Sequence, residues 1–257
     1  MVEQPFDLLS IRNETFLREI SYHDELESTN STANQLAVDG CDSPLLVLTP
    51  RQTSGRGRGT NAWWSSDGAL TFSIILDLPM LGPERLSSFS LTVGLAICQT
   101  LEQFAPLADL AIKWPNDVYM NDRKVCGILT EKPIPTESRL VVGIGINVNN
   151  SLRAASDDLR MSATSLVDEL GSKVSANQIL IQCLQQLELR MRDHVHQQQA
   201  LLDQWRAYCL LTGRNISLDL QGRTVNGLCR GIDEDGALLT DDGTSVQRCV
   251  SGSVTQF

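Results

Sequence analysis

LAIKWPNDVYMNDRKVCGILTE at residues 110–131 and RLVVGIGIN at 139–147 are short apolar and β-branched runs broken by turn residues at Pro115-Asn116-Asp117 and Asn121-Asp122. Runs of this length, separated by such tight turns, read as consecutive strands of a mostly antiparallel sheet. Two features in this stretch exceed what a sheet needs. Lys113 leaves the apolar strand Leu110-Ala111-Ile112, an unusual place for a flexible charge unless an anion waits for it. The plain alternative is a turn whose lysine snorkels out to water. Gly143 and Gly145 interrupt an otherwise β-branched strand, which marks either a bulge or the close approach of a ligand or a second backbone.

Upstream, ALTFSIILDL (69–78) reads as another strand, and LLVL (45–48), ending at Pro50, as a short buried one. A first helix is expected from an N-cap at Ser28-Thr29-Asn30 to Gly40. Pro83 suits the first helical position of a second, in which Leu86, Phe89, Val93, Ile97, Leu101 and Phe104 recur at three- and four-residue spacing and predict a core face. A further helical pattern runs from Ser175 to about Leu210, with Ile179, Cys183, Leu187, Met191, Leu201, Leu202 and Trp205 on one side. After Thr212-Gly213 only short strands with Gly and Asp turns follow, a small barrel of too few residues to be stable without docking. The expected division is therefore 1–211 and 212–257.

A length of 257 residues allows one to two domains at roughly 150 residues each. Hydrophobic residues at 42% and charged ones at 20% exclude a disordered or fibrous chain. Lys and Arg number 21 against 31 Asp and Glu, a net charge of −10 that excludes broad wrapping of nucleic acid or an anionic membrane but leaves room for one focused anion site. The first fifty residues hold nine acids and two bases, which does not suit a basic helix-turn-helix. Seven cysteines without a CxxC pair read as reduced thiols. Neither a targeting peptide nor a run of 18 apolar residues is evident, so the expected location is the cytoplasm.

Three constellations are candidates for chemistry. The loop QTSGRGRG (52–59), preceded by Arg51, puts three cations in eight positions among glycines. Exposed backbone N–H groups and guanidinium forks suit a carboxylate or phosphate, and the glycines let the loop close; a solvated flexible loop is the plain alternative. No GK[ST] follows, so it is not a Walker loop. Lys113-Trp114-Pro115-Asn116-Asp117 is the second constellation. The third is Gly143-Ile144-Gly145-Ile146-Asn147, whose Asn can read an amide-like edge. His194 and His196 are two apart on a helix and do not face each other, neither HExxH nor GxSxG occurs, and Asp233-Glu234-Asp235 reads as a solvated turn; no metal site is expected.

In order and spacing, LESTN (26–30), QTSGRGRG…W (52–63), KWPND with RKVCGILTE (113–117 and 123–131) and GIGIN (143–147) resemble the biotin–protein ligases, and RGIDEDGALL (230–239) is similar to that family's small terminal domain. The resemblance covers nearly the whole chain from about residue 20. It implies an α+β fold of the class II synthetase and biotin ligase type, with a mixed, mostly antiparallel sheet, helices and a C-terminal SH3-like β-barrel. It also implies the monofunctional kind, without an N-terminal DNA-binding domain or repressor activity. The implied reaction uses biotin and ATP with Mg²⁺: the biotin carboxylate attacks the α-phosphate to give biotinyl-5′-AMP and pyrophosphate, then a lysine of a biotin carboxyl-carrier domain takes the biotinyl group and expels AMP. Lys113, Arg56 and Arg58 are the implied catalytic residues. Ser28, Thr29, Asn30, Gln52, Gly55, Gly57, Gly127 and Gly143 join them around biotin. Arg58, Trp63, Lys113, Asn116 and Asn147 are implied for ATP. Nucleic acid and membrane are not expected partners, and a homodimer stays open. An acidic carrier would meet an acidic enzyme, so docking is expected to rest on shape and strand pairing.

The chain departs from the GRGRRGRxW form common in bacterial members: Gly59-Thr60-Asn61-Ala62 loses two cations before Trp63. Cys126 replaces a usual Ala and reads as a packing position. Two other functions compete. A lipoate–protein ligase would carry an RR…GGG…H pattern, absent here. A non-catalytic biotin-binding module or regulator would not need Lys113, Arg56 and Arg58 together.

Overall fold

The computed structural model describes residues 5–78, 86–136, 138–153, 155–220 and 222–257. The large sheet and its nearest helices come from α1 (Leu8–Glu14), β1 (Glu19–Tyr22), α2 (Thr29–Asp39), β2 (Leu45–Thr49), β3 (Leu70–Asp77), α3 (Leu86–Phe104), β4 (Leu110–Lys113), β5 (Asp117–Met120), β6 (Arg123–Glu131) and β7 (Arg139–Ile146). Four helices follow, α4 (Asp157–Ser162), α5 (Leu166–Leu170), α6 (Ala176–His196) and α7 (Gln198–Ala207). The chain then forms β8 (Asn215–Leu220), β9 (Arg223–Ile232), β10 (Leu238–Asp241), β11 (Val246–Cys249) and β12 (Ser253–Gln256).

Seven strands form one sheet in the order β1-β2-β3-β7-β6-β5-β4, with β1–β2 parallel and every other pair antiparallel. Asn121 and Asp122 join β5 to β6 with φ of 51° and 60°. Two consecutive positive φ values give the tight turn whose twist matches the flanking strands, and Asn and Asp tolerate them.

Strand alternation separates two faces. On β3, Leu70, Phe72, Ile74 and Leu76 enter the main core, as do Val142, Ile144 and Ile146 of β7. That face is covered by α3, which packs on α6 and α7. The opposite face carries Thr71, Ser73 and Ile75 of β3 beside Gly145, Gly143 and Val141 of β7, paired in register. Its apolar half packs against Ala33 and Ala37 of α2.

The last five strands form an antiparallel sheet in the order β11-β10-β9-β8-β12, the small SH3-like unit. Ile216, Leu218, Val225, Ile232 and Leu238 belong to the same apolar core as the large sheet, which supplies the burial that so short a segment lacks alone. Polar ties accompany it: Trp114 Nε1 donates to Gly236 O at 3.0 Å and Arg206 Nε to Ile232 O at 3.0 Å.

The structure corrects several expectations. The first helix is α1, not the one beginning after Ser28; it is capped by Asp7, whose carboxylate accepts from Ser10 N at 3.1 Å. The half-buried strand β1 also precedes Ser28, and its four residues were too short to show a pattern. Ser28 is the N-cap of α2, with Gly40 in the left-handed conformation at its end, but the Ser28 hydroxyl makes no capping bond. The helix expected over 175–210 breaks at Gln197 into α6 and α7. Pro83 lies outside the described residues.

Trp114 is 1% exposed, so its bond to Gly236 is out of water's reach. Trp114→Phe keeps the ring volume roughly but leaves the Gly236 carbonyl without that donor, which costs about 1–2 kcal/mol. Chemical denaturation should show that loss, and an unchanged midpoint would remove the bond from the account of how the C-terminal sheet is held.

Candidate active site

A cleft of about 260 Å³ opens on the glycine-bearing face of the large sheet. Its lining gathers Ser28, Thr29, Asn30, Gln52, Arg56, Gly57, Arg58, Trp63, Lys113, Asn116, Gly127 and Gly143 from five stretches of the chain. These are the sequence-expected positions with two exceptions. Gly55 is not on the lining; it holds the loop hairpin, where its carbonyl accepts from Trp63 N at 2.9 Å. Asn147, expected near ATP, is turned away and 4% exposed. Its Nδ2 donates to Thr164 O at 3.0 Å and its Oδ1 accepts from Asn150 Nδ2 at 2.9 Å, so the amide knits the segment after β7 instead of reading a ligand.

The floor is backbone. Gly127, Gly143 and Gly145 lie side by side, paired Gly127 to Gly145 across β6–β7, and their missing side chains make room for two others. A Cβ on Gly143 would fall inside the Asn30 carboxamide, and one on Gly145 would overlap the Trp63 indole. The glycines therefore mark close approach and not a bulge. Trp63 Nε1 is buried with no hydrogen-bond partner among the described residues.

One end of the cleft is neutral and polar. Thr29 N and Oγ1 donate to Gln52 Oε1 at 2.7 and 3.1 Å, and Ser73 Oγ lies 2.8 Å from Thr29 Oγ1 and 2.6 Å from Asn30 Oδ1. Asn30 Nδ2 donates to Leu129 O at 3.2 Å and Glu131 Oε2 at 3.0 Å. A network so satisfied fixes each amide in one orientation. The Ser28 hydroxyl, unused by the helix, faces the cleft at this end.

The other end is cationic: Arg56, Arg58, Lys113 and Lys124 line the cleft against one carboxylate, Asp117. Lys124 Nζ pairs with Asp117 at 2.7 Å. Among the described residues no carboxylate lies within 4.0 Å of Lys113 Nζ. Burial pulls the Lys113 pKa below its ordinary value, Asp117 opposes the shift, and Lys124 adds to it. Arg56 is held at the rim, Nη2 to Glu131 Oε1 at 2.6 Å. Arg58 Nη2 donates to Gly252 O at 2.5 Å and Ser253 Oγ at 2.7 Å, which brings the C-terminal sheet to the cleft. Asn116 Nδ2 donates to Ile128 O at 2.7 Å, which locks the turn that aims Lys113.

Sequence reading gave no role to Lys124, Glu131, Thr71 and Ser73, and named Asp117 only as part of the turn after Lys113. The hairpin offered a signal for Lys124, since a two-residue turn sets Lys124 opposite Tyr119 and near Asp117. Glu131 had none, because its partners Asn30, Asn34 and Arg56 are distant in the chain. Cys126 is fully buried, and burial drives its thiol pKa well up, as fits a packing position.

Fold and cleft together define an enzyme-like site for a ligand with a neutral polar head and an anionic end. A family profile described as "Biotin/lipoate A/B protein ligase family" matches residues 23–149, and one described as "Biotin protein ligase C terminal domain" matches 212–255. The chain is 32% identical over 250 residues to the bifunctional ligase/repressor BirA of Bacillus subtilis, covering 95% of this chain and 76% of that protein. It is 30% identical over 269 residues to the biotin–[acetyl-CoA-carboxylase] ligase of Mycobacterium tuberculosis, covering 98% and 96%. Among solved structures, the biotin protein ligase from Aquifex aeolicus in complex with biotin and ATP superposes with a TM-score of 0.81 at 26% identity, over 93% of this chain and 100% of that one. The chain belongs to the biotin protein ligase family.

Gly143→Ala should displace the Asn30 amide from its bonds to Ser73, Leu129 and Glu131 and lower unfolding free energy by about 1–3 kcal/mol. Urea titration measures it, and a stability equal to that of the unaltered chain would mean that Asn30 yields without loss.

Proposed function

We propose that this protein activates biotin with ATP and transfers it to a lysine of a biotin carboxyl-carrier domain. The observation that carries the reading is the polarity of one cleft: a fixed neutral network of Thr29, Asn30, Gln52 and Ser73 at one end, and an uncompensated Lys113 with Arg56, Arg58 and Lys124 at the other. A ureido ring offers donors and an acceptor to the first end, while its carboxylate tail points to the second.

The chemistry asks little of acid–base groups. A carboxylate is already ionised at neutral pH and needs no base to attack. What opposes the step is repulsion between two anions, and cations set between them lower that barrier. The carboxylate oxygen bonds to the α-phosphorus as the bond to the pyrophosphate oxygen breaks. In the second step the carrier lysine, as its neutral amine, attacks the acyl carbon, AMP leaves, and the amine gives up a proton to solvent as the amide forms. Lys113, which ends β4 just before the Pro115-Asn116-Asp117 turn and lines the cleft, would meet both carboxylate and α-phosphate. Arg56 and Arg58 are engaged with Glu131 and the C-terminal sheet and would exchange these partners for phosphate as the loop closes. Closure would also keep water from the anhydride. Trp63 supplies an aromatic wall on the ATP side.

Mg²⁺ belongs to this reading as the companion of ATP. Among the described residues no cluster of His, Cys, Asp or Glu could hold a metal, and Asp117, now paired with Lys124, is the carboxylate lining the cleft that would be nearest to such an ion. The profile match over 212–255 supports a domain boundary after residue 211. Among the described residues no helix is long and apolar enough to cross a membrane, and the seven cysteines are free. Free thiols and the use of ATP support a cytoplasmic location.

Lys113→Ala should lower biotin-dependent ATP–pyrophosphate exchange by about 10²–10³-fold with its melting temperature unchanged. Exchange near the unaltered rate would take Lys113 out of the mechanism, and a preference for lipoate over biotin would change the substrate. The loop over residues 54–62 should gain protease resistance when biotin and ATP are both added. Equal cleavage with and without them would argue against closure.

A further inference from the structure

Lys113 is held in an unusual way for a half-buried cation. No carboxylate among the described residues is within 4.0 Å of it; instead its Nζ lies 4.4 Å from the centroid of the Phe257 ring and 5.7 Å from that of Tyr119. The two rings meet edge to face at 5.9 Å and 84°, so each fixes the other. Tyr119 is 8% exposed, and burial, with Asp117 adding, pushes its pKa up to about 12; the phenol is neutral wherever the enzyme works. Phe257 also has the Arg214 guanidinium 5.8 Å away, and follows directly on β12.

We propose that Phe257 is a positioning residue for Lys113: with Tyr119 it forms an aromatic cradle that holds the ammonium in place without neutralising it. This rests on the adenylation reading of the cleft and deepens it. The task of Lys113 there is to meet a carboxylate and a phosphate. A carboxylate partner would hold it firmly but would compete with those ligands for the same charge. An aromatic face attracts a cation through its quadrupole and leaves the net charge whole, so the ammonium stays oriented and available. The nearest competitor is Asp117, which already acts on Lys113 electrostatically and is presently paired with Lys124. Without the Phe257 ring, Lys113 is free to lean towards Asp117, away from the reacting atoms.

The test compares Phe257→Leu with Phe257→Tyr in the full chain, reading kcat and biotin KM of biotin-dependent ATP–pyrophosphate exchange together with the melting temperature. Phe257 is 41% exposed, so neither variant empties a core position. Leu keeps an apolar contact and removes the quadrupole; Tyr keeps the ring. The expected result is a roughly tenfold lower kcat for Leu at unchanged biotin KM and melting temperature, with Tyr close to the unaltered enzyme. A Leu variant at full kcat, a change confined to KM, or equal losses in Leu and Tyr would overturn the positioning role. Absence of exchange in the unaltered protein would instead overturn the adenylation reading, and the positioning role with it.

Discussion

The alternation of glycine and isoleucine along β7 is the constraint on which the site depends. Ile144 and Ile146 face the core and are 5% and 0% exposed, while Gly143 and Gly145 leave the other face bare for Asn30 and Trp63. A glycine inside a strand costs roughly 0.5–1 kcal/mol, and a buried isoleucine contributes roughly 1.5–3. The two isoleucines outweigh the two glycines, so the strand can be floor and core at once. Ser73 and Thr71 of the adjacent β3 follow the same division, polar groups over the cleft and Phe72 beneath it.

Charge follows a similar economy of place. The chain carries −10 overall, yet four cations and one carboxylate line the cleft. Unit charges 4 Å apart interact by about 4 kcal/mol near a protein surface, so a few well-placed cations govern the local field whatever the bulk sign. Asp117 restrains Lys124 and opposes the downward pull of burial on the Lys113 pKa.

What could be read beforehand was local. The turn chemistry of Asn121-Asp122, the apolar runs and the Gly40 stop are each decided within a few residues, and the structure has them in place. GRGRG and KWPND each left a plain alternative, a solvated loop and a snorkelling lysine, and it was their co-occurrence in order and spacing that pointed to an anion site. The remainder depended on long-range pairing. Glu131 acquires its meaning from Arg56, and Arg58 from Ser253, contacts of 75 and 195 residues' separation that no window could supply. Asn147 was expected near ATP and shares its parity with the cleft-facing Gly143 and Gly145, but it lies just past the end of β7, where its amide bonds the Thr164 carbonyl and Asn150. α1 and β1 were missed because segments of seven and four residues carry too little pattern and draw their order from packing rather than propensity.

The two loop arginines are not equivalent in what a ligand must displace. Arg56 faces a carboxylate, but that pair is largely open to water, with side-chain exposures of 44% and 24%, and an exposed ion pair is worth only about 0–1 kcal/mol. Arg58 is more buried and has neutral acceptors, the Gly252 carbonyl and the Ser253 hydroxyl. Burial lowers its pKa without any carboxylate in direct contact, and the Asp117 charge works against that shift. A phosphate oxygen offers it a charge-assisted bond, stronger than either neutral acceptor. Both exchanges are therefore inexpensive for different reasons, one because water already weakens the pair, the other because the incoming acceptor is better. The exchange at Arg58 has the wider consequence. Gly252 precedes β12 and Ser253 opens it, and the strand leads directly into Phe257, so the Arg58 contacts and the ring nearest Lys113 share one short segment of the C-terminal sheet.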